Sequence, residues 1–194
     1  TTCSSCSMPT AMDTSKRLCP INKLEIELSQ VNTEMIRKVR IQDAADIVAI
    51  YNRYIVDTTI TFDTEPVSVD EMRNRIHDIA SCFPYFVYEH QGRVVGYAYV
   101  HQWKERAAYA RTLETTVYLS PDAFHSGIGT TLMQHVIDEC RSLGYRVLIA
   151  CITAENTGSL EFHKSLGFTQ VSFFHNVGEK FGRLLDVIDM ELQL

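Results

Sequence analysis

No stretch of the chain approaches the ~18 consecutive apolar residues that a helical membrane span requires, so no membrane partner is expected. A basic excess is also missing. Eighteen Lys and Arg against 24 Asp and Glu leave a formal charge of −6, the reverse of a nucleic-acid-binding surface. The first residues lack a charged segment leading into an apolar stretch, so no secretion signal is read and a cytoplasmic protein is expected. Cys3 and Cys6 form a C-x-x-C with Cys19 beyond, a pattern open to a metal or redox site. No second C-x-x-C and no nearby histidine completes four ligands, so no metal is expected. The alternative is a flexible tail, because residues 1–20 are rich in Ser, Thr and Pro and carry no periodicity. Internal repeats are absent as well. The expected organisation is a tail over residues 1–33 and one domain over residues 34–194.

What the chain does have is core material: 45 % hydrophobic residues, with nine Tyr and nine Phe. "MIRKVR" reads as a short strand. A helix follows from Asp43, with Ile47, Ile50, Tyr51, Tyr54 and Ile55 on one face. "TTITFDTEPVS" is too broken to continue it and reads as a loop, with a weaker helix over 69–81. "YFVYEH" and "RVVGYAYVHQW" are strands joined by a tight turn at Gln91-Gly92, and "TLETTVYLS" is another. Ile128, Leu132, Met133, Val136, Ile137, Cys140 and Leu143 form the stripe of the clearest helix, which Gly144 closes. "RVLIACIT" reads as a strand covered on both faces, with Cys140 and Cys151 as small buried hydrophobes. A helix from Thr157 to Leu166 ends at Gly167. Two strands, "FTQVSFFHN" and "LLDVIDMEL", flank a Gly-rich "VGEKFG". The order βααβββαβαββ specifies a mixed α/β layer.

"HSGIGTTL", residues 125–132, sets two glycines immediately before the clearest helix. Glycine permits close approach to the main chain, and a helix start offers unpaired N–H groups and partial positive charge. Together they suit a phosphate. A tight loop whose glycines only relieve strain is the alternative.

The strand, loop and helix of "ETTVYLSPDAFHSGIGTTLM", followed by "NTGSLEFHKSLGF", resemble the GCN5-related N-acetyltransferases (GNAT family). The likeness spans roughly residues 35–193. "YNRYIVDTTITFDTEP", "WKERAAYA", "ETTVYLSP" and "GEKFGRLLDV" further resemble the phosphinothricin and methionine sulfoximine or sulfone acetyltransferases, which act on the α-amino group of small amino-acid analogues. Two positions depart from the pattern. Phe124 stands where the loop motif has Gln or Arg, with His125 as a substitute polar contact, and Leu184 stands where an aromatic is expected. The resemblance implies a central sheet, mostly antiparallel, with helices on both faces. It also implies acetyl-CoA as co-substrate, a small amino-acid-like acceptor and a homodimer.

In that frame the diphosphate of CoA sits over Ser126, Gly127, Ile128, Gly129 and Thr130, and a side chain at either glycine would displace it. The main chain of Val117, Tyr118 and Leu119 pairs with the pantetheine arm, and Asn156 bonds its amide or caps a helix. Transfer needs a neutral amine, since an ammonium has no lone pair. Alternation sets Glu114, Thr116 and Tyr118 on one face of their strand and Leu113, Thr115, Val117 and Leu119 on the other. Glu114, the lone carboxylate of that strand, is the candidate base, against an ordinary half-exposed carboxylate. His163 stands where the family commonly has a tyrosine that protonates the departing thiolate. It serves as that donor, holds Glu114, or meets a backbone carbonyl. Lys104, Arg106 and Tyr109 form either a solvated surface or a grip on substrate oxygens, for which Arg is best shaped. Phe62 walls the pocket, joined by Thr115 and Thr116. Transfer is direct, without an acyl-enzyme. The other readings are acetylation of a protein N-terminus or polyamine, and a non-catalytic acyl-CoA-binding module.

Overall fold

The computed structural model describes residues 35–124 and 126–194, so the readings at Cys3, Cys6, Cys19, the 1–33 tail and His125 lie outside it. In chain order the elements are β1 (Met35–Lys38), α1 (Ala44–Asp57), α2 (Val69–Ala80), β2 (Tyr85–His90), β3 (Arg93–Gln102) and β4 (Thr112–Leu119). Then come α3 (Ile128–Ser142), β5 (Val147–Thr153), α4 (Thr157–Ser165), β6 (Thr169–Gln170), β7 (Phe174–Lys180) and β8 (Arg183–Gln193). The strands form one sheet in the order β1-β2-β3-β4-β5-β8-β6, with β7 also paired to β8. Only β4 and β5 run parallel.

Strand alternation sorts the core into two layers. Tyr85, Val87 and Tyr97 face Ile47, Ile50, Ile55, Met72 and Ile76 of α1 and α2. Their neighbours Phe86, Ala98 and Val100, with Leu113 and Leu148, face Leu132, Met133, Val136 and Ile137 of α3. Helices therefore cover both faces, as expected. Ser68 caps α2 by accepting the Glu71 N–H at 3.1 Å, and Asp70 and Glu71 complement the positive end of the helix.

Four details differ from the sequence reading. A 3₁₀ turn over Ile41–Asp43 precedes α1, whose regular part begins at Ala44. Leu143 is 57 % exposed, because it caps α3 where the stripe has already turned out of the core. Cys151 is exposed while its neighbours Ala150 and Ile152 are buried, so β5 is covered on one face only at that point. Finally, "FTQVSFFHN" is two strands, β6 and the start of β7, and the chain ends on three strands. The first four residues of the glycine-rich segment lie inside β7, and its last two, Phe181-Gly182, make the turn with positive φ at both. Asn176, also at positive φ, interrupts the β7–β8 register and donates its N–H to Asp186 Oδ1 at 2.8 Å.

Candidate active site

β4 pairs with β3 along nearly its whole length, from Leu113 opposite Gln102 to Leu119 opposite Gly96. On its other side it meets β5 at only three positions, Thr112, Glu114 and the residue between them. Beyond Glu114 the two parallel strands splay apart. Among the described residues the β4 main chain from Thr115 to Leu119 is therefore without a strand neighbour on that side. Two connected clefts fill the opening. The outer one is bordered by Val117, Tyr118, Leu119, Phe124, Gly129, Asn156 and Phe162. The inner one, about 210 Å3, reaches Glu114, Thr115, Thr116, Cys151, His163 and Phe62. Val117, Tyr118, Asn156 and Ser159 border both. An extended thioester arm has here a strip of unpaired peptide groups to lie along. One carbonyl on that strip is engaged: Tyr54 donates its hydroxyl to Leu119 O at 2.6 Å.

At the mouth of the outer cleft α3 begins. Gly127 precedes it with φ +82°, a left-handed conformation that a Cβ would strain, and the space where a Cβ would project is open. The amides of Ile128, Gly129 and Thr130 are first-turn N–H groups with no intrahelical acceptor to reach. Thr131 makes the first regular bond, to the Gly127 carbonyl at 3.0 Å. Gly129 acts differently. A Cβ there would crowd Leu119 and Phe162, two walls of the outer cleft, so this glycine keeps the groove open. These donors and this opening fit a diphosphate with a thioester arm.

Glu114 lies at the inner end of the splay. Burial pushes its carboxyl above the ordinary carboxylate range. His101 opposes that shift, while Asp189 adds to it. His101 faces it from the paired position on β3, with Nε2 3.9 Å from Oε1. A carboxylate in that state is better able to hold a proton near neutrality than an exposed one.

His163 is 3 % exposed and lies between the rings of Phe162 and Phe168. Its Nδ1 is 2.9 Å from the Ser159 carbonyl oxygen. A carbonyl only accepts, so Nδ1 carries the hydrogen, and in the neutral ring Nε2 holds a lone pair. Burial holds the imidazole below its ordinary pKa. A neutral ring with this tautomer accepts a proton or a hydrogen bond at Nε2; it has no second hydrogen to donate. The same burial has a stability consequence. An unfolded chain binds a proton at this histidine near pH 6.5, whereas the native one resists it, so acidification favours unfolding. Urea unfolding from pH 7 to 5 is expected to show a falling stability that flattens in His163→Gln, with at most about 1.4 kcal/mol per pH unit assigned to this proton.

Of the residues singled out from sequence, Phe62, Glu114, Thr115, Thr116, Val117, Tyr118, Asn156 and His163 come together around the inner cleft. Leu119 and Gly129 border the outer cleft, whereas Ser126 and Ile128 line a separate cavity that also takes in Arg53 of α1 and Arg93 of β3. Asn156 also caps α4, accepting the Ser159 N–H at 3.2 Å. Lys104, Arg106 and Tyr109 do not border the cleft. They occupy the turn between β3 and β4, where Lys104 Nζ sits 3.8 Å from the Trp103 ring centroid. Cys151, read as a buried hydrophobe and as the one cysteine near the reaction centre, borders the inner cleft. The sequence reading missed Thr61, Ser159 and His101. Ser159 was within reach of it, being four residues before His163 on one helix face. His101 required the β3–β4 register.

Strands that part around a strip of unpaired peptide groups, with an amide-rich helix start at one end and a desolvated carboxylate at the other, define an acyl-CoA-dependent transferase. The model of the acetyltransferase (GNAT) domain family matches residues 36–189. The chain belongs to the GNAT acetyltransferases: it is an N-acetyltransferase, and acetyl-CoA is its co-substrate. It is 38 % identical over 161 residues to the phosphinothricin N-acetyltransferase of Alcaligenes faecalis, covering 82 % of each chain. It is 35 % identical to the L-methionine sulfoximine/L-methionine sulfone acetyltransferase of Salmonella typhimurium, across 78 % of this chain and 90 % of that one. A phosphinothricin acetyltransferase from Sinorhizobium meliloti, solved with acetyl-CoA, superposes with a TM-score of 0.80 at 34 % identity, covering 84 % and 89 %. Among the described residues no helix is long and apolar enough to cross a membrane, and no cluster of three metal-ligating side chains occurs.

Proposed function

We propose that the chain acetylates the α-amino group of a small amino acid of the methionine sulfoximine, methionine sulfone or phosphinothricin type. The observation that carries this is Glu114: a half-buried carboxylate at the inner end of the β4–β5 opening, in a cleft of about 210 Å3. The names of the relatives support the same class of acceptor. Acetyl-CoA supplies an activated acyl group. The protein's part is to hold it along residues 117–119 and the Ser126–Thr130 amides, with Asn156 at the arm. Glu114 takes the ammonium proton, so that the amine attacks directly and no acyl-enzyme forms. His163 accepts a hydrogen bond at Nε2 and orients a reacting group. Phe62, Thr115 and Thr116 form the wall of the acceptor site, and Lys104, Arg106 and Tyr109 stand outside it on the turn between β3 and β4. Among the described residues neither cation is held by a carboxylate, which leaves both available to an anion.

The same reading includes a homodimer in the cytoplasm. Phe173, Phe174, Val177, Phe181 and Leu184 are 45–61 % exposed around the β7–β8 hairpin, an apolar surface that a second copy would cover. Unpaired thiols at Cys82, Cys140 and Cys151 suit a reducing compartment. Light scattering on the purified chain is expected to give twice the monomer mass of 22.1 kDa, and Val177→Asp with Leu184→Asp to halve it. A thiol-release assay with acetyl-CoA tests the substrate class. Methionine sulfone, methionine sulfoximine and phosphinothricin are expected to turn over well ahead of spermidine or an N-terminal peptide. The opposite ranking would replace this reading with the polyamine or peptide one, and no turnover with any amine would leave a binding module.

A further inference from the structure

The segment linking α1 to α2 supplies Ile60, Thr61 and Phe62 to the wall of the inner cleft, although it has no regular structure of its own. It is held from three sides. Tyr51 of α1 shares a hydrogen bond with Thr61 Oγ1 at 2.8 Å and donates to Asp63 Oδ2 at 2.9 Å. Thr153 of β5 donates to the Thr59 carbonyl at 2.8 Å. The third support comes from β7. Lys180 is only 3 % exposed, and its Nζ donates to the Thr61 carbonyl at 2.7 Å. A buried ammonium is costly without partners, and Asp63 adds a favourable charge nearby. Two residues earlier on the same face of β7, buried Gly178 lies directly against the Phe62 ring. A Cβ at position 178 would overlap Cζ and Cε2 of that ring. Phe62 borders the cleft and Gly178 does not, so the ring stands between them.

We propose that this face of β7 determines which amino-acid side chain the cleft accepts. Gly178 provides the bare stretch of main chain against which the Phe62 ring, 42 % exposed, rests, and Lys180 pins the main chain beside it. The inference rests on the small-amino-acid reading above and deepens it: β7 measures side-chain length. Neither residue touches substrate, and both act through the wall. In Gly178→Ala the methyl group drives the Phe62 ring into the cleft. Lys180→Met removes the charged donor to Thr61 O and lets the wall give way.

Three sulfones differing by single methylenes provide the ruler: S-methylcysteine sulfone, methionine sulfone and ethionine sulfone. One methylene in an apolar pocket is worth about 10-fold or more in kcat/KM. Gly178→Ala is expected to lower kcat/KM for ethionine sulfone relative to S-methylcysteine sulfone by about 10-fold. The KM for acetyl-CoA should not change. Phe62→Leu is expected to shift the same ratio the other way, and Gly178→Ala to have no further effect in that background, since the atoms it strikes are gone. Lys180→Met should flatten the discrimination among the three. Calorimetric acetyl-CoA binding and circular dichroism confirm folding of each variant; if Gly178→Ala does not fold, the Phe62→Leu ratio carries the test. An unchanged ratio in an active Gly178→Ala enzyme, or equal effects with and without the Phe62 ring, overturns this inference alone. Absence of turnover on all three sulfones by the wild type overturns the substrate reading and this inference with it.

Discussion

Glu114→Gln is expected to reduce the rate of amine acetylation by about 10²–10³-fold while acetyl-CoA binds as it does to the wild type. The amide keeps the shape and one acceptor of the carboxylate but cannot take a proton. Its neighbours keep their places, since His101 approaches Glu114 at 3.9 Å and not in a tight hydrogen bond. The loss therefore falls on kcat. The pH profile carries the sharper signature. A base works only when ionised, and burial raises the pKa of this one above 4.5. Wild-type kcat/KM should rise with pH through that elevated pKa and then level, whereas the variant should lack this limb. High pH should recover part of the variant's rate, because solvent then removes the ammonium proton. Equal rates for the two enzymes at pH 7 would dismiss Glu114 as the base.

The second large effect is expected from Gly127→Asp, which should weaken acetyl-CoA binding by about 10²-fold or more with the fold retained. The open space around the missing Cβ accommodates the new side chain, and Asp tolerates a left-handed backbone better than most residues. Its carboxylate then stands where the first-turn amides of α3 await an anion. Unit charges about 4 Å apart at a protein surface repel by about 4 kcal/mol. Gly127→Ala separates the causes, because it brings the backbone strain without the charge and should lose much less. Isothermal titration with acetyl-CoA at two salt concentrations reads both, since screening should recover affinity only for Asp. If Asp and Ala weaken binding equally, the diphosphate lies elsewhere.

Much of this arrangement was visible in the chain as letters. The α3 stripe, the alternation through β4 and the glycines at 127 and 129 are local patterns, and each depends on residues within a few positions. They placed the amide cradle and the carboxylate, and Gly167 marked the end of the helix bearing His163. Long-range contacts were hidden. Gly178 reads as a strand breaker because its cause, the ring of Phe62, lies more than a hundred residues away. "WKERAAYA" carries its cations on a turn, and no sequence pattern says where a turn points. Cys151 looked like core because β5 is apolar on both sides of it; the splay that uncovers it belongs to two strands at once. The tautomer of His163 depends on one carbonyl, that of Ser159, and of the three roles the sequence left open this contact is the one the fold shows.

The parting of β4 from β5 also affects the whole molecule. Three paired positions form the direct main-chain seam between the half of the sheet built on β1–β4 and the half built on β5–β8. A sheet normally gains its stiffness from unbroken lateral bonding, and here a stretch of that bonding is lent to a visitor. With the CoA arm placed in the gap as proposed, the arm would serve as the missing rung, and the melting temperature is expected to rise with acetyl-CoA concentration. On that placement the protein is expected to be stiffest when loaded and to loosen as it lets its spent thiol go.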